Sequence, residues 1–230
     1  MDFGAVIQTW LNVLTHPGED VFQEERTKPQ ATLANAIIWI IVAGVIAAIF
    51  AAIGAAISGA MGTGVGFTQT IINQMDLPPE ARRQMMTALA ARTAGTGAGV
   101  FGALCMTLFI VPIAFLLGSA IYFVIAKMFG GTGDFSEQTY LMATFSAPII
   151  VVNAIIGVVP YLGGCVTFFI SIYQLVLTYF AIKVSHNLSS GKAIMTILIP
   201  ILVIFACIIC GFAVMFATIL GAAGLGGGNF

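Results

Sequence analysis

Two cysteines near the end of the chain have a spacing that could support redox chemistry or zinc binding. Cys207 and Cys210 form a C-x-x-C pair, but such sites need an accessible thiolate and usually further ligands. The residues around them are Phe, Ala and Ile, and the same apolar stretch contains no His or carboxylate. We therefore predict that these cysteines, like Cys105 and Cys165, are small buried hydrophobic residues. No disulfide framework is predicted.

A short polar stretch before the last apolar run holds two further candidates. Ser190, Gly191 and Lys192 resemble the end of a phosphate-binding loop, whose pattern is G-x-x-x-x-G-K-[ST]. His186 stands at the first glycine position and Ala193 at the final hydroxyl position, so the match fails. We predict that a serine here caps the last helix. His186 is predicted to form interfacial hydrogen bonds, because no second His or acid lies beside it to complete a metal site.

The same stretch contains a formal glycosylation sequon at Asn187. Its loop is short and lies on the predicted cytoplasmic side, so no glycan is predicted. No Ser–His–Asp, Cys–His or paired-carboxylate arrangement can be assembled from the sequence. We therefore predict no catalytic residues, no cofactor-binding residues and no metal site.

Few polar side chains lie inside the apolar stretches, and two of them could meet. Asn153 and Gln174 belong to consecutive antiparallel helices and are expected near the middle of the bilayer. Interhelical hydrogen bonds of this kind contribute about 0.6–2 kcal/mol. They could hold helices together, or they could contact a substrate. The other polar and tyrosyl residues of this region are Ser171, Tyr173, Thr178 and Tyr179.

The composition decides where all these residues must be placed. Of 230 residues, 60% are hydrophobic and only 7% are charged, whereas soluble domains carry about 25% charged residues. Eight basic and nine acidic residues cannot cover a globule of this size in water, so the surplus apolar surface must face lipid. A net charge of −1 provides no basic field for nucleic acid. The chain is therefore predicted to be an integral membrane protein.

Charges mark the boundaries of the predicted membrane helices. Four long stretches contain no charged residue, namely 29–75, 93–126, 138–182 and 193–230, and a membrane-spanning helix needs about 20 apolar residues. A Pro- and Gly-containing turn near Pro160 divides the third stretch in two. We predict an all-α bundle of five transmembrane helices, at about 33–60, 101–126, 140–158, 165–183 and 193–220. The first apolar run begins too late and is too long for a signal peptide.

Three segments lie outside this predicted bundle. Residues 1–32 form an amino-terminal segment whose apolar side chains recur at helical spacing, which is typical either of a helix on the membrane surface or of one packed on the bundle. The loop 61–100 is predicted to contain a short amphipathic helix at 79–92 between glycine-rich flanks. Residues 223–230 form a Gly-rich tail. The apolar stripe of the first segment consists of Phe3, Val6, Ile7, Trp10 and Leu14.

Small residues line the first predicted span in two adjacent rows. Such rows allow helix backbones to approach closely, either within the bundle or between this helix and another protein, including a second copy of the chain. The rows are Ala43, Ala47, Ala51, Ala55 and Gly59, and beside them Gly44, Ala48, Ala52, Ala56 and Ala60.

The distribution of charges predicts both orientation and a functional exclusion. Lys and Arg are more frequent on the amino-terminal side, which favours a cytoplasmic amino terminus in the cell membrane. No charged residue lies inside a predicted span, so proton-coupled transport has no evident carrier. The cations of the amino-terminal side are Arg26, Lys28, Lys127, Lys183 and Lys192; those of the opposite side are Arg82, Arg83 and Arg92.

Several short motifs follow one another along about the first 25 residues and most of 127–200. They are Trp10-Leu-Asn-Val-Leu-Thr-His-Pro17 with Phe22, Gly130-Gly-Thr-Gly-Asp-Phe135, Thr139-Tyr140, Ala147-Pro148, Pro160, Gly163-Gly164, Ile172-Tyr173 and His186-Asn-Leu-Ser-Ser-Gly-Lys-Ala193. In this order they resemble the Yip1-domain family of five-span membrane proteins, and the loop entering the last span is the best match.

For eukaryotic members, the resemblance implies roles in vesicle traffic and contact with prenylated Rab-type GTPases. This sequence lacks their Asp-Leu-Tyr-Gly-Pro motif and its amino-terminal segment is short, which argues against GTPase binding and indicates a prokaryotic-type member. We expect a non-enzymatic protein that organises a membrane assembly through protein and lipid contacts. The alternatives are a small channel or facilitator and an accessory subunit of a respiratory or photosynthetic complex.

Overall fold

A computed structural model describes residues 3–60, 65–75, 77–93, 109–159 and 162–222, and this part of the chain is helical without strands. The predicted all-α fold is confirmed. The described residues form nine helices: α1 Phe3–Thr15, α2 Glu19–Thr27, α3 Leu33–Ala60, α4 Val65–Gln74, α5 Pro79–Thr93, α6 Val111–Met128, α7 Phe135–Gly157, α8 Leu162–His186 and α9 Ser190–Ala222.

Five of these helices, α3 and α6 to α9, are long and apolar enough to cross a membrane. The predicted count of five spans is therefore confirmed. The second predicted span reaches back to residue 101, and its first part lies outside the described residues, as do Cys105 and the tail 223–230. Helix α7 begins at Phe135, five residues before the predicted span, so it carries several polar residues into the bundle.

Helix α7 lies at the centre of the bundle. Ten consecutive residues, 140–149, are buried, and 56% of the most apolar stretch of α7 is buried against 6% in α9. Helices α3 and α8 make the largest contacts with α7. A helix that is apolar on every side belongs in such a central position, and α7 remains helical through Pro148.

The small residues of α3 explain its close packing on α7. Ala43 is fully buried in the same cluster as Ala143 and Ala147. Farther along, a Cβ atom placed on Gly54 would lie 3.4 Å from the Cα of Val158. The interpretation of the rows as packing within the chain therefore holds for Ala43, and Gly54, which lies outside the rows, adds a second close approach. Ala51, by contrast, is exposed.

The amino-terminal segment packs on the bundle. Val13 of α1 is fully buried, and Trp10 meets Trp39 edge-on with ring centroids 6.2 Å apart. The hydroxyl of Tyr173 donates a hydrogen bond to the carbonyl oxygen of Leu14, at 2.7 Å. Ile7, although part of the predicted stripe, points outward and is 52% exposed. Helix α1 therefore uses one face for the bundle and leaves another for its surroundings.

The described residues between α3 and α6 include two short helices, α4 and α5. Helix α5 coincides in position with the helix predicted at 79–92, but its apolar residues are not gathered on one face, so it is not amphipathic as predicted. Helix α4 occupies part of a segment predicted to be loop. Ile72 of α4 is buried, and Arg82 of α5 donates a hydrogen bond to the carbonyl oxygen of Met75, at 3.3 Å. Arg82 and Arg83 are exposed, as predicted.

The prediction that the cysteines are buried is wrong for the three that the structure describes. Cys165, Cys207 and Cys210 are free and exposed on the surface of the bundle. In a membrane protein an apolar side chain does not need to be covered by the protein, because hydrocarbon accepts it equally well.

Replacement of Ala43 by leucine tests the close packing of α3 on α7. The added side chain has no room in the buried cluster, and overpacking of this kind typically costs about 1–3 kcal/mol. We expect Ala43→Leu to lower the melting temperature in detergent. Ala34→Leu, the same substitution at an exposed position of the same helix, should leave it unchanged. Equal melting temperatures for both variants would contradict this packing.

Candidate functional site

Polar side chains gather at the amino-terminal end of the bundle, where α6 and α8 end, α7 and α9 begin, and α2 lies across them. We call this set the polar layer. Several of these groups are buried, and a buried polar group is costly unless it is hydrogen-bonded. Its members are Glu19, Glu25, Arg26, Lys28, Ser119, Thr132, Glu137, Gln138, Thr139, Tyr140, Lys183, His186 and Asn187.

Glu25 of α2 is a fully buried carboxylate. The ammonium of Lys28 lies 2.6 Å from its Oε1, and the hydroxyl of Tyr140 donates to its Oε2 at 3.4 Å. Partial burial of Lys28 lowers its pKa, but the hydrogen bonds and charges of Glu25 and Glu24 outweigh burial, so the pKa lies above its usual value. The stability that the charge of Lys28 contributes is therefore fully present below the usual pKa of lysine and is lost as the pH rises through the raised pKa.

Two further ion pairs hold α2 against the bundle. Arg26 pairs with Glu137 of α7. It also donates hydrogen bonds to the carbonyl oxygen of Val184, at 3.0 Å, and to Oδ1 of Asn187, at 3.2 Å. Lys183 of α8 pairs with Glu19 at the start of α2. Phe22 anchors the same helix from below, buried between Phe145 and Phe180.

A chain of buried hydrogen bonds crosses from α6 through α7 to α8. Nε2 of Gln138 donates to the carbonyl oxygen of Ser119 at 2.8 Å, which leaves Oε1 of Gln138 as an acceptor 2.7 Å from Nε2 of His186. His186 must therefore carry its proton on Nε2. The hydroxyls of Ser119 and Thr139 lie 2.8 Å apart. His186 forms a hydrogen bond, as predicted. Because it is fully buried, this bond lies inside the bundle and not at the membrane–water interface.

The loop 130–134 packs directly against the end of α8. The main-chain amide of Thr132 donates to the carbonyl oxygen of His186 at 3.1 Å. The side-chain amide of Asn187 donates to Oγ1 of Thr132 at 3.2 Å. Glycine is required here, since a Cβ on Gly131 would lie 2.6 Å from Nδ1 of His186 and one on Gly133 only 2.1 Å from the carbonyl oxygen of Ser185. Two motifs that are far apart in the sequence thus meet in one contact.

The residues singled out inside the spans are not brought together by hydrogen bonds. Within the described part of the chain, Oδ1 of Asn153 is buried without a partner. Ser171 and Thr178 donate to carbonyl oxygens of their own helix, at 2.8 Å each. Of this group, Tyr173 is the residue that joins two helices, through Leu14. The predicted contact between Asn153 and Gln174 is not among the hydrogen bonds of the described residues.

Sequence reasoning missed Glu25, Gln138 and Ser119. The available signals were the three-residue spacing of Glu25 and Lys28 on one helix face and the presence of Gln138 at the edge of an apolar run. No group of three or more His, Cys, Asp or Glu side chains that could hold a metal ion occurs among the described residues. The acids and bases of the polar layer are engaged with one another, an arrangement that holds helices in register.

The family comparison matches nearly the whole chain. A family model, the Yip1 domain, matches residues 11–212. That range includes α2, the loop 130–134 and the turn after His186, and therefore the whole polar layer. No curated protein and no solved structure gives a significant match.

Replacement of Gly133 by alanine tests the contact between the loop 130–134 and α8. A Cβ cannot remain 2.1 Å from the carbonyl oxygen of Ser185, so the loop or α8 must shift. We expect a loss of about 1–3 kcal/mol in stability, measured as a lower melting temperature in detergent. Gly191→Ala is the matched control, because in the described part of the chain nothing lies within 4 Å of a Cβ at that position. An unchanged melt for Gly133→Ala would show that the loop is not held as described.

Proposed function

The chain belongs to the Yip1-domain family and is a multi-pass membrane protein, and from this premise we propose that it is non-enzymatic and organises a membrane assembly through contacts of its helices with other proteins and with lipids. The family is not known as enzymatic. The engagement of the polar layer in internal ion pairs and hydrogen bonds supports a structural role for that layer.

The outer half of α9 is the observation that carries this proposal. From 202 to 218 every residue of α9 is exposed, including Phe205 at 61% and Phe212 at 62%. No atom of the residues that the structure describes lies within 4 Å of a Cβ placed on Gly211. This half of the helix therefore contributes little to the stability of its own bundle. An apolar helix with small residues on its surface suits close packing against another transmembrane helix.

The exposed part of α3 offers a second surface for such contacts. Ala51 and Ala56 are exposed, although earlier members of the same rows are buried against α7. Self-association through this part of the first span remains part of the proposal. Binding of a GTPase is not part of it, because the eukaryotic motif associated with that role is missing.

We place the amino-terminal end of the bundle in the cytoplasm and the protein in the cell membrane. The support is the excess of Lys and Arg on that side. A cysteine introduced at exposed Gln23 should react with a membrane-impermeant reagent only from the cytoplasmic side, and one at exposed Gln84 only from the outside. The native cysteines are removed first. Reaction of both positions from the same side would contradict the five-span topology.

Substitution of Gly211 tests whether α9 mediates assembly. We expect Gly211→Leu to reduce the size of the complex extracted in a mild detergent, measured by light scattering and native gels, because leucine separates closely packed helices. The melting temperature should not change, since among the described residues nothing lies within 4 Å of a Cβ at this position. Ile208→Leu, which conserves volume on the same exposed half, is the control.

The size of the wild-type complex, together with flux and hydrolysis assays, distinguishes the alternative functions. A wild-type protein that is monomeric and forms no complex would overturn the scaffolding proposal. Selective ion or solute flux into liposomes, lost on substitution of Asn153 or Gln174, would favour the channel. Reproducible hydrolysis of a nucleotide, peptide or phosphoester would contradict the non-enzymatic assignment.

A further inference from the structure

The five cations at the amino-terminal end of the bundle divide into two groups. Arg26, Lys28 and Lys183 each pair with an acid in the polar layer. Lys127 and Lys192 are exposed and form no ion pair with any residue that the structure describes. The first group thus stabilises the fold, whereas the second group is available to an external anion.

The main chain of Lys127 and the ammonium of Lys192 both lie close to Gly130. Lys127 is in the last turn of α6, where its carbonyl oxygen accepts a hydrogen bond from the amide of Gly130, at 2.9 Å. The ammonium of Lys192, in the first turn of α9, lies 3.9 Å from the position that a Cβ on Gly130 would occupy. Both lysines therefore border the same glycine, at the seam where α6 meets α9.

The local field at this seam favours an anion. Lys192 stands at the amino-terminal end of a 33-residue helix, where the positive end of the helix dipole disfavours a cation. Helix α9 has no acid in its first turn, and the hydroxyls of Ser189 and Ser190 are on exposed residues. The Lys127 ammonium lies over the ring of Phe123, 5.3 Å from its centroid, and the Lys192 ammonium lies beside Gly130. Both lie at the end of the bundle where α9 begins, and no acid of the described residues forms an ion pair with either.

Apolar side chains continue from each lysine toward the membrane. Val124 lies one turn deeper than Lys127 on α6 and is 57% exposed; Met195 lies one turn deeper than Lys192 on α9 and is 54% exposed. Between the two helices, Ala126 and Ala193 are buried in a common cluster, so the seam is closed at its base. The surface therefore combines a cationic end with an apolar flank.

We infer that the seam between α6 and α9 binds an anionic phospholipid, with Lys127 and Lys192 holding the headgroup phosphate and Val124 and Met195 contacting the acyl chains. Basic pockets between transmembrane helices on the cytoplasmic side bind such headgroups. A segment of an acidic protein would satisfy the lysines but not the exposed apolar flank beneath them. The inference deepens the lipid contacts of the proposed function and rests on it only for the cytoplasmic orientation.

Binding of phosphatidylglycerol and phosphatidylcholine to the purified full chain tests this inference. Both lipids are added to the protein in detergent, and binding is measured by native mass spectrometry. We expect the wild type to prefer phosphatidylglycerol. Each lysine near an anionic headgroup strengthens binding about fivefold, so Lys127→Gln/Lys192→Gln should bind phosphatidylglycerol about 30-fold more weakly. Its affinity for phosphatidylcholine should change little.

Two matched variants define the site. Arg82→Gln/Arg83→Gln removes the same charge from exposed positions on α5 and should retain the preference. Lys127→Arg/Lys192→Arg keeps the charge and should also retain the preference for phosphatidylglycerol. This variant still tests the inference if the glutamine variant does not fold. Sodium phosphate should displace no more lipid than sodium chloride at the same ionic strength, since it lacks acyl chains.

Three results would overturn the inference: equal binding of the two lipids by the wild type, an undiminished preference in the lysine-to-glutamine variant, or an equal loss in the arginine control. The assay uses isolated protein in detergent and does not depend on orientation or on assembly. A negative result in the lipid-binding assay would therefore leave the complex-size test of the proposed function unaffected. A negative result in the complex-size test would likewise leave the lipid-binding assay valid.

Discussion

The absence of water inside a bilayer is the constraint on which the rest of this structure depends. A buried polar group without a partner is costly, and Gln138 finds partners on two sides at once, through Ser119 of α6 and His186 of α8. These bonds determine how α6, α7 and α8 lie at the amino-terminal end. Below them α7 is apolar and buried, and α3 packs on it through small residues. One polar connection and one tight apolar contact thus position four of the five membrane helices.

The same constraint makes the amino-terminal segment part of the fold. Helix α2 carries a buried carboxylate, Glu25, which would be costly without Lys28 and Tyr140. Its Phe22 enters the aromatic cluster of α7 and α8, while Arg26 and Glu19 reach across to those helices. Charges and an aromatic anchor together hold a short helix that would not be stable alone. The match of the family model, which begins at residue 11, includes this helix.

The bundle is closed at one end and open along its sides. At the amino-terminal end most charges neutralise one another, and the loop 130–134 seals α7 against α8. Along the membrane, the exposed half of α9 has no partner among the described residues, and the α6–α9 seam presents Lys127 and Lys192 without acids. A protein that acts through contacts needs stable internal connections and free outer surfaces. In this molecule the amino-terminal end of the bundle supplies the internal connections, and its sides supply the free surfaces.

The sequence by itself determined that this is an all-α membrane protein with five spans, because hydropathy and the placement of charges depend only on composition along the chain. It also determined the short helix at 79–92 and, through the order of its motifs, the family.

Only the tertiary structure decided what the polar residues do. Glu25, Gln138 and His186 are ordinary polar residues near apolar runs until α2, α7 and α8 converge on them. The glycines at 131 and 133 are required only because the end of α8 lies within van der Waals distance. Such contacts join residues about 50 to 115 positions apart, and no local pattern specifies them. The prediction that Cys207 and Cys210 are buried was wrong because, in lipid, the apolar character of a residue does not show which face of a helix the protein covers.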